Sequence, residues 1–167
     1  KGLLLEAKAD EPEPVQAFWS GLRLPSAAHA VSVIDGGVRL GDDTLGIVKS
    51  ALGGAGLVLS DAAPVVVIVT DDCLSSACAS AIEQVYRQQR ALFLLAPQGL
   101  RPLLGPYFPA GAAQPCPFCF LTARREQQPV ETFLQRGAGG AGSSVPVAAA
   151  IPASLGAASS LAAVTLK

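Results

Sequence analysis

The sequence predicts an α/β protein whose mainly parallel sheet is covered by helices on both faces. Half of its 167 residues are hydrophobic, which is enough to build a substantial core. Short strand-like runs alternate with segments of helical spacing, so each crossover is long enough to join parallel strands. The run Pro64–Thr70 (PVVVIVT) is β-branched almost throughout, which is typical of a central strand covered on both faces.

Composition and charge indicate which classes of partner and which cellular compartment to expect. The formal net charge is -1, so bulk electrostatics favour neither a nucleic acid nor an anionic membrane as partner. No uninterrupted apolar run reaches spanning length, because Pro146, Pro152 and Gly156 break the Ala-rich tail. Four cysteines without a signal peptide predict a reducing, cytoplasmic location. Homo-oligomerisation is left open.

Composition shifts divide the chain into four parts. Residues 1–14 form an acidic, Pro-containing N-terminal linker, and residues 15–136 form the α/β domain. A flexible loop of low-complexity composition spans 137–144, and an Ala-rich helical segment spans 145–167. The first residue is not Met and an isolated Leu3–Leu5 run follows, so we expect a domain cut from a longer protein.

The first unit of the domain is a strand, a Gly-rich turn, a helix and a strand, the opening of a Rossmann-like unit. A helical stretch containing Trp19, expected to be a packing anchor, precedes it. Asp42 or Asp43 is a suitable N-cap, the glycines after the helix predict its end, and Leu45, Val48 and Leu52 predict its buried stripe. The segments are Glu13–Gly21 (helix), Ala30–Ile34 (strand), Asp42–Leu52 (helix), Gly53, Gly54 and Gly56 (helix end) and Leu57–Ser60 (strand).

The glycines of the first turn have the spacing of a degenerate dinucleotide-binding fingerprint. Gly36, Gly37 and Gly41 allow a tight turn against a helix N-terminus, where a phosphate could bind. Arg39 and Leu40 occupy the turn, however, so turn geometry alone is the favoured interpretation. The nucleotide interpretation stays open beside it.

Two carboxylates follow the central strand. Asp71 and Asp72 lie where open α/β sheets bind ligands, although either could simply cap the next helix, which is the favoured interpretation. That helix is predicted over Leu74–Arg90, with a buried face of Ala77, Ala81, Ile82 and Val85. Cys73 and Cys78 are predicted to be core thiols, since their spacing suits no shared metal. Ala91–Ala96 predicts a further strand, and Pro102–Phe108 an extended return of the chain.

The pair Cys116 and Cys119 is the chemically most suggestive motif. A C-x-x-C step turns two thiolates towards one ion, so the pair is half of a tetrahedral zinc site on a CxxC loop. A redox pair and an inert pair remain alternatives, because no second C-x-x-C follows. The only histidine, His29, precedes the first strand, so no nucleophilic catalytic set can be assembled and no catalytic residue is assigned. Short helical segments are predicted over Phe120–Glu126 and after Pro152, the latter with no evident packing partner, and a short turn is predicted over Glu131–Gln135.

The order of these motifs resembles the ThiF/ubiquitin-activating-like family. The resemblance covers roughly Phe18–Arg136 and is closest to the bacteriocin biosynthesis cyclodehydratase branch, which serves the maturation of thiazole/oxazole-modified peptides. The segments that carry it are Thr70-Asp71-Asp72 after the β-branched strand, Leu104-Gly105-Pro106-Tyr107-Phe108, the Pro/Gly loop, Cys116-x-x-Cys119 and Arg124-Arg125.

The resemblance implies a degenerate ThiF fold that accompanies a YcaO enzyme. Such a domain presents a ribosomal precursor peptide while the YcaO partner activates the backbone amide with ATP, and a winged-helix element, absent here, holds the leader. By position, Asp71 matches the magnesium-binding acid of adenylating relatives. The ATP-holding segment of those relatives is missing, however, because Ser60 passes within four residues to Pro64, and the second cysteine pair is missing too.

Three function classes follow. The favoured one is a non-catalytic scaffold that presents the precursor peptide. The others are an ATP-binding adenylating enzyme, in which Gly36, Gly37, Gly41 and Asp71 would bind the cofactor, and a structural zinc-binding interaction domain built on Cys116 and Cys119. ATP is not expected to bind, and zinc is expected to lack half of its ligands.

Overall fold

A computed structural model describes residues 30–38, 43–97, 103–111, 116–129, 156, 159–163 and 166. The predictions for Trp19, His29, Gly41 and residues 131–135 and 137–144 lie outside these residues. None of the helices in the described part is long and apolar enough to cross a membrane.

The described residues form a five-stranded sheet of order β2-β1-β3-β4-β5. Strands β1 to β4 are parallel and β5 is antiparallel to β4. The predicted α/β class, its mainly parallel sheet and the central position of the β-branched strand are therefore confirmed. The strands are β1 (Ala30–Asp35), β2 (Val58–Leu59), β3 (Val65–Val69), β4 (Ala91–Ala96) and β5 (Leu103–Phe108).

Strand β5 was predicted only as an extended return of the chain. It pairs with β4, and the register shifts where Gly105 and Pro106 lie opposite Leu94 alone. A bulge on an outer strand is where a sheet accommodates a residue that has no N–H to donate, so Pro106 is compatible with this position.

The core lies on both faces of β3, because successive strand residues point to opposite sides. Val66 and Ile68 pack with helix α2 (Ser76–Arg87) and with helix α3 (Pro117–Gln127). Val67 and Val69 pack on the other side with helix α1 (Thr44–Gly54). Ala162 and Ala163 also belong to this second cluster and are fully buried. The C-terminal helical segment, for which the sequence offered no packing partner, thus contributes to the α1 side of the core.

Helix α1 continues further than predicted. Gly53 and Gly54 were expected to end it but remain helical, and the chain leaves the helix at Gly56, whose φ is +84°. Gly56 donates to the Gly53 carbonyl and Leu57 to the Leu52 carbonyl, the two bonds of a Schellman motif. The expected N-cap, Asp43, holds that position but makes no side-chain capping bond.

Helix α2 begins later than predicted because Ser75 caps it. The Ser75 hydroxyl accepts a hydrogen bond from the Cys78 N–H at 3.1 Å, so the expectation that Asp71 or Asp72 caps this helix was wrong. Cys78 occupies the core position that was assigned to Ala77, which is exposed. Both expected core thiols, Cys73 and Cys78, are buried.

Candidate functional site

The carboxyl end of the sheet is the place where this fold would bind a ligand. The chain continues from β1 to β2 on one side, while β3 lies on the other side of β1, which makes the β1/β3 boundary a topological switch point. Two segments meet there, Asp35–Gly37 at the end of β1 and Thr70–Asp72 after β3. Of the predicted cofactor-binding residues, Gly36, Gly37 and Asp71 thus lie at one edge of the sheet, and Gly41 lies outside the described residues.

The backbone of the first turn is satisfied by its own side chain. The Asp35 carboxylate accepts hydrogen bonds from the N–H of Gly37 at 2.7 Å and from the N–H of Val38 at 2.8 Å. In a nucleotide-binding turn such N–H groups face a phosphate. Here the carboxylate of Asp35, from the same turn, takes the place of the phosphate, and its negative charge would repel one.

The two glycines of this turn are required by close packing. The Gly36 N–H donates to the Val69 carbonyl at 2.7 Å, and a Cβ on Gly36 would lie 2.6 Å from Ile68 Cγ2. Gly37 has a φ of +100°, and a Cβ there would lie 2.9 Å from the Cβ of Ala77 in α2. Contacts with β3 and α2 therefore account for both glycines without a bound phosphate. The assignment of a nucleotide to Gly36, Gly37, Gly41 and Asp71 stays a prediction.

The turn after β3 is also held by hydrogen bonds between its own residues. The buried Thr70 hydroxyl donates to the Asp72 carbonyl at 2.9 Å and accepts from the Asp72 N–H at 3.1 Å. The Asp72 carboxylate accepts from the Leu74 N–H at 2.8 Å, and Asp71 is half-buried beside it. These bonds fix the loop between β3 and α2.

Two of the four thiols belong to this buried region. Burial raises the pKa of the Cys73 thiol, and the neighbouring Arg124 guanidinium of α3 opposes this shift only in part. Burial, with the Cys73 charge beside it, raises the pKa of Cys78 to about 12. Both thiols are therefore protonated at neutral pH, which makes them poor nucleophiles and poor metal ligands.

The other two thiols lie at the start of α3 rather than on a separate loop. Cys116 is the N-cap of the helix, and its Sγ accepts from the Cys119 N–H at 3.4 Å. That hydrogen bond, with one from the Cys119 thiol, lowers the pKa of Cys116, while the same thiol contact raises the pKa of Cys119. Cys116 is half-exposed and Cys119 is exposed.

The pair has no further metal ligands in the described part of the chain. No group of three or more His, Cys, Asp or Glu side chains is placed to hold a metal ion among those residues. The half-site predicted from Cys116 and Cys119 thus gains no third ligand from Cys73, Cys78, Asp71 or Asp72. Whether zinc binds remains a prediction.

Sequence reasoning missed three residues that shape this region. Asp35 could have been found, because an Asp directly before Gly-Gly is a common signal for a side chain that caps its own turn. Ser75 could have been found as a preferred N-cap. Arg124 carried no local signal, since its approach to Cys73 depends on how α3 packs against the sheet.

The chain is similar to solved heterocyclase structures over nearly its whole length. A heterocyclase "in complex with substrate and Cofactor" matches 96% of this chain at 25% identity, with a TM-score of 0.75. The heterocyclase TruD matches 96% of it at 26% identity, with a TM-score of 0.77. The sequence matches no protein-family model, and it matches no curated protein.

The match is partial on the heterocyclase side. The chain spans 22% of the first of these proteins and 24% of TruD. The chain is therefore similar in structure to one part of each of these two heterocyclases.

Proposed function

We propose that this chain is a non-catalytic partner of a YcaO cyclodehydratase, with a degenerate Rossmann-like ThiF fold. In this role it presents a ribosomal precursor peptide while the YcaO partner forms azolines, the precursors of azoles, with ATP. The observation that supports the proposal is the match of 96% of the chain to less than a quarter of each heterocyclase. In this proposal the chain supplies one part of such an assembly, and the YcaO partner supplies the chemistry.

The geometry of the switch point favours a scaffold over an adenylating enzyme. The N–H groups of the turn that would hold a phosphate already donate hydrogen bonds to Asp35. The space beside Gly36 and Gly37 is occupied by atoms of β3 and α2. The nearby thiols Cys73 and Cys78 have raised pKa values, so they offer no thiolate to a reactive substrate.

Reconstitution with a YcaO enzyme tests the proposal. The readout is the mass of a Cys/Ser/Thr-rich precursor peptide, because each azoline formed removes one water. We expect no product from this chain with ATP, product from the two proteins together, and a higher kcat/KM than the YcaO enzyme reaches alone. Retention of the YcaO enzyme by the immobilised chain should accompany this effect.

Two outcomes would favour the other function classes. Dehydrated or adenylated peptide formed by this chain and ATP alone would identify an adenylating enzyme. Failure both to retain the YcaO enzyme and to change its kcat/KM would leave an interaction domain unrelated to peptide modification. The control is Gly53→Ala, a change on the exposed side of α1 that meets no neighbouring atom and should not affect either readout.

A further inference from the structure

Two aromatic rings stack on the protein surface where α2 meets α3. Tyr86 lies in the last turn of α2 and Phe118 in the first turn of α3. Their ring centroids are 5.3 Å apart and their planes are inclined by 79°, which is the edge-to-face arrangement that aromatic pairs prefer. The two residues are nevertheless 43% and 39% exposed. Each ring holds the other in place, so the pair forms a fixed apolar ridge in contact with solvent.

The charged residues beside this ridge neutralise each other. Glu83 lies one turn before Tyr86 on α2 and forms an ion pair with Arg87 at 2.6 Å. A recess of about 300 Å³ opens on the same helix, and its walls are Ser80, Glu83, Gln84, Arg87 and Gln88. An aromatic centre flanked by polar residues is the usual composition of a protein–protein interface. A partner that fits here therefore presents apolar side chains surrounded by hydrogen-bonding groups rather than a charged segment.

The ridge lies away from the places where an extended peptide would add to this fold. Such a peptide often binds as an extra strand at a sheet edge, and the edges of this sheet are β2 and β5. Helices α2 and α3 instead pack together on one face of the sheet. They contain 12 and 11 residues, so they are about 18 and 16 Å long. Two helices side by side offer a broad convex surface, which suits a folded protein better than a short peptide.

We propose that the exposed face of α2 and α3 around Tyr86 and Phe118 is the surface that docks the YcaO enzyme. This inference rests on the proposed function, in which that enzyme is the partner. The size of the similar heterocyclases supports a folded neighbour: this chain spans 22% and 24% of them, so most of each protein lies outside the matched part. The two rings form the centre of the interface, and the Glu83–Arg87 ion pair lies at its rim.

Binding of the YcaO enzyme to surface variants tests the proposal. Biolayer interferometry measures the Kd and the dissociation rate for the immobilised wild type, Tyr86→Ala, Phe118→Ala and Arg87→Glu. The matched control is Tyr107→Ala on β5, because Tyr107 is the same residue type with the same exposed fraction of 43%. Urea unfolding shows which variants are folded. The Arg87 side chain is 76% exposed, so Arg87→Glu reports on this surface even where loss of a ring destabilises the fold.

The expected effects follow from the place of each residue in the interface. Tyr86→Ala and Phe118→Ala should each raise the Kd by about tenfold or more, mainly through faster dissociation, because they remove an aromatic anchor. Arg87→Glu breaks the ion pair and places two negative charges beside the ridge, so it should raise the Kd by about threefold or more. Tyr107→Ala should bind as the wild type does, and every folded variant should keep its affinity for the precursor peptide.

The contrary outcomes separate this surface from the proposed function. Wild-type affinity for the enzyme in the folded variants of Tyr86, Phe118 and Arg87 would overturn the surface and leave the proposed function intact. Absence of enzyme binding by the wild type would overturn both. Loss of precursor binding in Tyr86→Ala, with enzyme binding unchanged, would assign the ridge to the peptide. A lower oligomeric state of the isolated Tyr86→Ala chain in light scattering, with enzyme binding unchanged, would assign it to a second copy of this chain.

Discussion

Replacement of Gly36 by alanine tests whether atoms of β3 fill the space at the β1/β3 switch point, so that no ligand can enter there. The new methyl group would lie 2.6 Å from Ile68 Cγ2, 3.1 Å from the Val69 carbonyl oxygen and 3.3 Å from Thr70 Cβ. Ile68 is fully buried, and its Cγ2 is carried directly on a β-branched Cβ, so it cannot rotate away without leaving its rotamer. The carbonyl is part of the β3 backbone. We therefore expect Gly36→Ala to lower the free energy of unfolding by about 1–3 kcal/mol, the usual range for overpacking a core.

The same chemical change elsewhere should have the opposite sign. A Cβ at Gly53 would meet nothing within 4 Å, and Gly53 lies in helix α1. Gly53→Ala should raise the free energy of unfolding by about 0.5–1 kcal/mol, because alanine loses less backbone entropy in a helix than glycine. Urea unfolding followed by circular dichroism measures both values, and an unchanged slope shows that the comparison is of stability alone.

The refuting result is a Gly36→Ala protein as stable as the wild type. The turn after β1 would then stand away from β3, and the crevice between the two strands would be open to a ligand. Close packing would then no longer exclude a nucleotide from this end of the sheet, although the Asp35 carboxylate would still oppose a phosphate there.

Three further predictions concern ATP, zinc and pH. Calorimetry should detect no ATP or AMP binding, because Asp35 already bonds the amides of Gly37 and Val38; saturable micromolar binding that vanishes in Asp71→Ala would contradict this. Elemental analysis should find substoichiometric zinc. Cys116→Ser should lower the free energy of unfolding by less than about 1 kcal/mol, because serine retains the helix cap. Stoichiometric zinc that is lost together with folding in this variant would contradict both expectations. The Cys78 pKa is raised from 9.0 to about 12, so its contribution to stability is complete below pH 9.0 and is lost as the pH rises towards 12. Above pH 9.0 the free energy of unfolding should therefore fall more steeply with pH in the wild type than in Cys78→Ala. The difference between the two slopes should be at most about 1.4 kcal/mol per pH unit, and equal slopes would contradict the burial of this thiol.

The strands of the parallel sheet could be predicted because local pattern and tertiary burial agree. Pro64–Thr70 is β-branched and apolar, and Val66 to Val69 are all fully buried as β3. Strand β5 was not predicted as part of the sheet, because Gly105 and Pro106 interrupt its pattern and its pairing depends on the bulge opposite β4. The burial of Ala162 and Ala163 likewise has no local signal, since an Ala-rich helix packs equally well against many surfaces.

The candidate site was predictable in position but not in chemistry. The sequence placed Gly36 and Gly37 after the first strand and Asp71 at the carboxyl end of the central strand, and the structure brings these two strand ends side by side. Side-chain bonding was not predictable from spacing: Ser75 rather than Asp71 or Asp72 caps α2, and Asp35 rather than a ligand bonds the first turn. Both outcomes are competitions between neighbouring acceptors for the same N–H groups, and three-dimensional geometry decides them.

A scaffold can arise from a nucleotide-binding arrangement without a change in strand order. At this switch point the decisive group is one carboxylate: Asp35 accepts the two N–H groups of its own turn at 2.7 and 2.8 Å. A phosphate would have to displace that carboxylate and then remain beside it, since the chain holds the side chain in place. Asp35 is exposed, so the repulsion between its charge and a phosphate is screened by solvent, but together with the loss of these two hydrogen bonds it opposes binding even where the backbone still has the required shape. Because fold and site chemistry separate in this way, the heterocyclase-like architecture is compatible with the proposed role, in which the chain positions the peptide and ATP is bound by the proposed partner.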